Sequence, residues 1–485
     1  MPNFDIQKKI VDLKIAAIDA YMYNCESSFA SGARHWVRSG DNYEVKFGLL
    51  SDNSSWKVTT PGFDGEGGGE LIGPSLVQQV VTVDDKPSTD FASKFNEIRK
   101  TIETALDPWY PDFPHGDPIA EQSNMGWHAL EPIRTEDYTL PMSINNPSKR
   151  ASANTNLTGD LNQINGALGA MNGLLIDQVE DFLGKLEGTI GNIAALGSFW
   201  NSSLCVESQI VSSIREAVEK AVDEATSVCK QIAAGGTGIT FKVALDLLAA
   251  VGGLVTASSG VGAAGAAASL TSAYITLKES DNVQVKVEEG DDGKSTGEGV
   301  KTVSTAEEAL SHFDHVLTAI NTKMKNAEDS INNQLKAEWD NVHDKTQQNY
   351  VIKLKPIDNV AQEVIINRAE VDKITNVLLP NVTSILNDSC SKIGEVSMSK
   401  VAYRAGAAGK FHHGPSGSFE NLRETIQSLL RNLAWQTSEA AANLHAAAGL
   451  IEGTDANAQA ELNKTTTDIN SGSGVDPWRK PHPNA

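Results

Sequence analysis

Residues 156–193 read NLTGDLNQINGALGAMNGLLIDQVEDFLGKLEGTIGNI. Apolar residues recur in this stretch every three or four positions, at an average spacing of about 3.5, which is typical of a coiled-coil seam. Polar residues fill the other positions, so the stretch predicts a long amphipathic helix packed lengthwise on other helices. The seam residues are Leu161, Ile164, Leu168, Met171, Leu175, Val179, Phe182, Leu186, Ile190 and Ile193.

Glycines follow the same period along this helix. Gly159, Gly166 and Gly173 lie seven residues apart, as do Gly184 and Gly191. Glycine in a helix costs up to about 1 kcal/mol relative to alanine, and close approach of a neighbouring helix would compensate for that cost. The predicted helix, 156–231, has an expected break near Gly197-Ser198, after which the period resumes.

Three more long helices follow toward the C-terminus. One begins at Ser304 or Thr305, since Ser304 with Glu307 and Thr305 with Glu308 both have the capping-box spacing; unbroken to Tyr350, it would span about 70 Å. The others cover about 357–398, with a kink expected at Pro380, and 418–468. The seams of the first and last of these helices contain Leu310, Phe313, Leu317, Ile320, Met324, Ala327, Ile331, Leu335, Trp339, Val342, Phe419, Leu422, Ile426, Leu429, Leu433, Ala440, Leu444, Ala447 and Ile451.

An apolar hairpin separates the first two long helices. Between Val243 and Leu277 the only charge is Asp246, and a turn at 256–260 divides two arms of small and apolar residues. A bilayer span needs about 20 mostly apolar residues, so each arm, starting at Ile239 and Val261, is slightly short. The hairpin is either buried in the bundle, covered by a partner, or inserted in a membrane after rearrangement. Its candidate membrane-contact residues are Phe241, Leu245, Leu247, Leu248, Val251, Leu254, Val255, Val261, Leu270, Tyr274, Ile275 and Leu277.

The N-terminal third has a different character. A helix is expected within 1–30, strands at Tyr43–Leu50 and Leu76–Val83, and a second helix from an N-cap at 88–90 to about Leu106. The following loop, DPWYPDFPHGDP at 107–118, has four prolines that break any helix and three aromatic residues that predict docking onto another part of the protein.

The predicted fold is mainly α. It is an elongated antiparallel bundle of long helices with an apolar helical hairpin, a small β-hairpin and an irregular α+β N-terminal region. The predicted divisions are 1–150 for the mixed N-terminal region, 151–234 for the first long helix, 235–278 for the apolar hairpin, 279–303 for a β-hairpin-like loop, 304–468 for the remaining bundle helices and 469–485 for a disordered tail.

The amino-acid composition argues against some classes of function. The chain has 40 basic and 62 acidic residues, for a formal net charge of −22, which repels phosphate backbones and argues against nucleic-acid binding. The four cysteines are far apart in sequence, with no metal-ligand spacing. Cys205 and Cys229 on one straight helix would lie about 36 Å apart, too far for a disulfide, so free core thiols are expected.

Few segments suggest chemistry. GDDGKST at 290–296 lacks the first glycine of a phosphate loop, and its acidic neighbours would repel phosphate, which favours a polar turn. His312 and His315 flank the seam residue Phe313 and are expected to be solvent-exposed. FHHGPSGS at 411–418 is interpreted as a turn that ends in an N-cap at Ser418. No catalytic, metal or cofactor site is predicted.

Two resemblances bear on function. The ALDPWYPDFP segment (105–114), the Gly/Ala-rich apolar hairpin and the Ala-rich stretch 435–462 resemble the WXG100-like helical proteins associated with actinobacterial type VII (ESX) secretion, although no tryptophan is in a Trp-x-Gly motif and no tyrosine precedes Asp or Glu by four positions. The order of long helix, apolar hairpin, β-like pair and long helix is similar to α-helical pore-forming toxins of the cytolysin A and haemolysin BL type.

These resemblances imply a non-enzymatic helical bundle that is secreted or associated with a secretion system and acts through protein–protein interaction. The alternative is a pore-forming virulence protein whose hairpin 239–277 inserts into a target membrane. The expected partners are other proteins or further copies of the chain, with conditional membrane contact and no nucleic acid. Because the N-terminus has no continuous apolar core, secretion without a signal peptide, or a cytoplasmic location before export, is expected, with association to a target membrane as a further option.

Overall fold

The structure is a computed structural model, and it is mainly helical with a small antiparallel sheet. The described residues are 6–24, 35–46, 55–72, 90–110, 113, 115–137, 152–171, 174–242, 300–344, 348–353, 366–399, 401, 414–451, 464 and 467. The predicted mainly α class is therefore confirmed, and a four-stranded sheet is added near the N-terminus.

The N-terminal part combines helix α1 (Ile6–Asn24) with a sheet and helix α2 (Phe91–Leu106). Four strands form an antiparallel meander in the order β1-β2-β3-β4. Side chains of α1, the sheet and α2 enclose a small separate core. The strands are β1 (His35–Ser39), β2 (Asn42–Lys46), β3 (Ser55–Thr59) and β4 (Leu71–Ile72). The core residues are Ile18, Met22, Tyr43, Val58, Phe91 and Phe95.

Helix α2 begins where its sequence predicts. Asp90 is the N-cap, and its carboxylate accepts a hydrogen bond from Ser93 N at 3.1 Å. The aromatic loop after α2 docks as expected, because Trp109 and Phe113 are buried with their ring centroids 5.2 Å apart. A further helix, α3 (Gly116–Leu130), follows this loop and was not predicted.

The predicted helix 156–231 is divided earlier than expected. Helix α4 (Thr155–Leu168) ends in a turn at Gly169, and helix α5 (Leu174–Ala233) then runs without a break. The predicted break near Gly197-Ser198 is wrong, because Gly197 lies inside α5 against the side chain of Leu130. A straight α-helix of the 60 residues in α5 measures about 90 Å.

Helix α6 (Ala306–His343) follows a pair of short strands, β5 (Ile239–Lys242) and β6 (Val300–Val303). The N-cap of α6 is Thr305, whose hydroxyl accepts a hydrogen bond from Glu308 N at 3.1 Å. Of the two predicted capping pairs, Thr305 with Glu308 is therefore the one that forms. The helix ends at His343, and a 3₁₀ turn covers Gln348–Tyr350 instead of the expected continuation.

The last two long helical segments pack on each other. The first comprises helix α7 (Arg368–Lys373), a π-helical stretch (Ile374–Leu378) and helix α8 (Leu379–Glu395). Pro380 has no N–H to donate to the carbonyl four residues earlier, which explains a widened helix at this point and agrees with the expected irregularity. Helix α9 (Ser416–Ile451) is the final long helix of the described residues.

Helix α5 lies at the centre of this arrangement. It packs against α1, α3, α6 and α9, while α8 packs against α9 and α3. Residues 193–208 are buried on every face of α5, although they include Asn201 and Glu207. The main core therefore surrounds α5, and polar as well as apolar side chains enter it.

Candidate functional site

The apolar segment is flanked by two strands that lie side by side. Strand β5 precedes it and strand β6 follows it, and the two pair antiparallel, with Lys242 opposite Val300 and Ile239 opposite Val303. We call this two-stranded ladder the neck. Residues 243–299 are thus a continuous insertion whose two ends are adjacent.

Glycines direct the chain from α5 into the neck. Gly235 has a positive φ of 91°, and its N–H donates to Ile232 O at 2.9 Å while Gly236 N donates to Gln231 O at 3.0 Å. This pair of bonds is a Schellman motif, which ends a helix with glycine in a left-handed conformation. A Cβ added to Gly235 would lie 2.9 Å from the Tyr23 hydroxyl oxygen, so the end of α1 packs closely against this turn.

Ser304 joins three elements on the other side of the neck. Its hydroxyl accepts a hydrogen bond from Gly238 N at 3.1 Å, and its carbonyl accepts one from Asn24 Nδ2 at 3.3 Å. Its own N–H donates to the Glu308 carboxylate at 2.8 Å. The end of α1, the start of β5 and the start of α6 therefore meet at one residue.

Phe241 anchors the neck in the bundle. The side chain is fully buried, and its ring meets His312 of α6 edge to face at 4.9 Å between centroids. His312 is itself buried, and its ring lies 6.1 Å from that of His315, which is exposed. The prediction of two solvent-exposed histidines is therefore wrong for His312, because β5 covers the face of α6 from which it projects.

The structure describes only one of the predicted membrane-contact residues, Phe241, and in this conformation its side chain contacts the protein interior. The prediction that a helical arm begins at Ile239 is wrong, because 239–242 form strand β5. The remaining candidates, together with residues 279–299 of the predicted β-hairpin-like loop and the GDDGKST segment, lie outside the described residues. Those candidates are Leu245, Leu247, Leu248, Val251, Leu254, Val255, Val261, Leu270, Tyr274, Ile275 and Leu277.

Strand β6 pairs with a strand on the far side of the insertion, since Val300–Val303 lies beside Ile239–Lys242. The rest of the local β-hairpin expected within 279–303 lies outside the described residues. Alternation explains the choice, because Phe241 and Val303 both point into the core while Thr240 and Thr302 are exposed. Pairing these two strands buries two apolar side chains on the same face.

The segment FHHGPSGS is described from Gly414 onward. Gly414 has a positive φ of 65° and lies close to the buried carboxylates of Glu207 and Glu328, from α5 and α6. Helix α9 begins at Ser416, so Ser418 lies inside its first turn and is not the N-cap as predicted. His412 and His413 are outside the described residues.

The buried thiols have little nucleophilic character. Cys205, Cys229 and Cys390 are free and buried, as expected, and Cys25 lies outside the described residues. Burial raises the pKa of the Cys205 thiol to about 11 and that of Cys229 to about 12. Cys205 Sγ lies 2.9 Å from Ser123 Oγ, but a thiol with such a pKa stays protonated at neutral pH and is a poor nucleophile.

Neither a metal cluster nor a membrane-spanning helix is found in the described parts of the chain. No three of their His, Cys, Asp or Glu side chains are placed to hold a metal ion. Within the same ranges, no helix combines the length and apolarity that a bilayer crossing requires. Comparison with known proteins adds no further guide, because no family model, curated protein or solved structure matches the chain.

Proposed function

We propose that the protein is a non-enzymatic, elongated antiparallel helical bundle that delivers the apolar segment 243–277 to a lipid bilayer. The observation that carries this proposal is the neck, which brings together the two ends of the insertion 243–299 that contains this segment. The order of long helix, neck, apolar insertion and long helix is the one that resembles α-helical pore-forming toxins. That resemblance is one of architecture, and architecture alone does not determine function.

The energetics of the segment favour a hidden state in water. Its single charge, Asp246, leaves a long apolar surface whose exposure costs about 25 cal/mol per Å². Soluble proteins rarely expose such a surface unless it contacts a membrane or a partner. A conditional exposure, triggered at the target, would reconcile this composition with a protein that is stable before it binds.

The neck is small enough to open. Each strand has four residues, and Thr240 and Thr302 are exposed on its outer face. Its contacts with the helices include the burial of Phe241 and Val303, the packing of Ile239 on the main core and the hydrogen bonds of Ser304. Few interactions would therefore have to be lost for the neck to move away from α6.

The polar interior of the bundle supports a rearrangement. Asn201 and Thr437 are completely buried in the main core, and several hydroxyls there bond only to their own helix, as Ser203 does to Trp200 O at 2.7 Å. Helices that share polar interior surfaces separate at a lower hydrophobic cost than helices with fully apolar seams. Separation of the bundle helices on a membrane would therefore cost less here.

Dye release from phosphatidylcholine vesicles tests the proposal. We expect the wild type to release the dye and Leu248→Glu to release it at least tenfold more slowly, because a charged side chain at the centre of a bilayer costs about 3 kcal/mol. Val377→Glu is the matched control, since Val377 is an exposed apolar residue of the bundle, 49% accessible, and this change should leave the release unaffected.

The same assay tests the neck directly. Thr240 and Thr302 are directly opposed, so a Thr240→Cys, Thr302→Cys pair is close to the geometry of a disulfide. The oxidised pair should block release, reductant should restore it, and Thr240→Cys alone should behave as the wild type. Equal release in the oxidised and reduced states would contradict an opening of the neck. Absence of release from every variant would favour the protein-interaction role predicted from the sequence.

A further inference from the structure

Phe63 stands fully in solvent on the loop between β3 and β4. Its relative accessibility is 105%, and the other exposed large apolar side chains of the described residues, Ile72 and Val377, are at 47% and 49%. A fully exposed phenylalanine gains nothing from the core, so its position depends on how the loop is built. We call residues 60–70 the Phe63 loop.

Hydrogen bonds within the loop fix the turn that carries Phe63. Gly62 N donates to Glu66 O at 2.8 Å, and Gly65 N donates to Gly62 O at 2.9 Å. The Asp64 carboxylate accepts a bond from Glu66 N at 3.0 Å, which closes an Asx turn directly after Phe63. The tip is therefore a defined turn.

Two buried basic side chains, Arg99 and Lys14, bind the base of the Phe63 loop. Arg99 of α2 is 4% exposed and donates from Nε to Gly65 O at 2.7 Å and from Nη2 to Gly67 O. Lys14 of α1 is 7% exposed and pairs with Glu66 at 2.7 Å and with Glu103 at 2.6 Å. Hydrogen bonds from charged donors are among the strongest in proteins, so the base of the loop is firmly attached.

The loop also depends on its glycines. Gly65, Gly67, Gly68 and Gly69 all have positive φ, a region that other residues rarely adopt. A Cβ at Gly69 would lie 2.5 Å from the Ala92 backbone, so this glycine lets the loop pack directly on the start of α2. These glycines and the contacts of Arg99 and Lys14 define the conformation of the loop, in which Phe63 is exposed to solvent.

We propose that Phe63 inserts into an apolar pocket of a partner protein whose rim carries lysine or arginine side chains. An aromatic side chain on a preorganised loop is an efficient binding residue, because little conformational entropy remains to be lost. The carboxylate of Asp64, next to Phe63 in the chain, and that of Glu70, at the base of the same loop, are exposed and complement a basic rim. The same carboxylates, and the net charge of −22, oppose contact with an anionic lipid surface.

This inference is independent of the proposed membrane function. Full-length protein with p-benzoylphenylalanine at position 63 would be irradiated in an extract of its source cells, with the same probe at Ile72 as the control. A captured protein would then be purified and titrated against the wild type, Phe63→Ala and Ile72→Ala. Support comes from the titration: Phe63→Ala should bind at least tenfold more weakly, Ile72→Ala within twofold of the wild type, and added salt should weaken the wild-type complex.

Two further variants separate binding from folding. Phe63→Ala should leave the thermal midpoint unchanged, because the side chain packs against nothing. Arg99→Lys keeps the positive charge but loses the hydrogen bonds of the guanidinium to the carbonyls of Gly65 and Gly67. This variant should therefore bind the partner more weakly, although Phe63 is intact. Equal affinity of the wild type and Phe63→Ala would overturn the proposal. So would adducts at position 63 that form only with lipid, only with another copy of the chain, or no more often than at Ile72.

Discussion

The glycines of α3, α4 and α5 form two groups, which differ in how closely other parts of the protein approach them. Where α5 packs on α3, glycines allow close contact: a Cβ at Gly126 would lie under 3.0 Å from the Asn201 side chain, and one at Gly197 under 3.0 Å from the Leu130 side chain. Along α4 and the first part of α5, a Cβ at Gly159, Gly166, Gly184 or Gly188 would meet nothing within 4 Å. Three of the heptad-spaced glycines, Gly159, Gly166 and Gly184, therefore lie on an open face, whereas a Cβ at Gly191 would lie 3.0 Å from Thr135 Oγ1.

The largest expected effect is at the close contact. Gly126→Ala should lower the free energy of unfolding by about 3 kcal/mol, because the methyl group overlaps the side chain of Asn201, which is fully buried. Denaturant titration measures this loss. Gly126→Ala combined with Asn201→Ala should recover part of the stability. No recovery would mean that the α3 backbone, and not the Asn201 side chain, limits the space.

The next largest expected change in stability comes from deprotonation of the Cys205 thiol, which lies at the contact between α3 and α5. The folded-state pKa of Cys205, about 11, lies above its ordinary value of 9.0, so the unfolded chain loses its proton first as pH rises. The stability is complete below pH 9 and falls between about pH 9 and 11, by about 2–3 kcal/mol for this residue. Denaturation midpoints measured over that range should fall less steeply for Cys205→Ala. An unchanged slope would show that Cys205 is not sealed from solvent in the folded state.

The sequence predicts some of these helices better than others, because their buried faces contain different kinds of residue. The seams of α5, α6 and α9 contain regularly spaced Leu, Ile and Phe, and those helices follow from the period alone. Helix α3 is hidden because its buried face contains Gly116, Ser123 and Gly126 where a seam would have large apolar residues. A pattern of hydrophobicity cannot reveal a helix surface that fits its neighbour because the residues on it are small.

The candidate site was predictable to a similar extent. The low charge of 243–277 identifies the insertion, and the glycines after Ala233 indicate where α5 ends. The pairing of β5 with β6 joins residues on opposite sides of the insertion, and no local signal specifies such a partner. The burial of His312 follows from that pairing, and the exposure of Phe63 follows from the contacts of Arg99 and Lys14 with its loop. Both are tertiary effects.

The smallest expected change in the free energy of unfolding is at the glycines of the open face. There alanine should stabilise the protein, whereas Gly126→Ala should destabilise it. Gly188→Ala should raise the free energy of unfolding by up to about 1 kcal/mol, because alanine restricts the unfolded chain and its methyl group meets no neighbour. Gly184→Ala should behave alike, since both positions are exposed within α5. Denaturant titration of the two variants would compare them directly with Gly126→Ala. A loss of stability at Gly188 or Gly184 would show that this face is covered in solution, as the heptad spacing of the glycines first indicated.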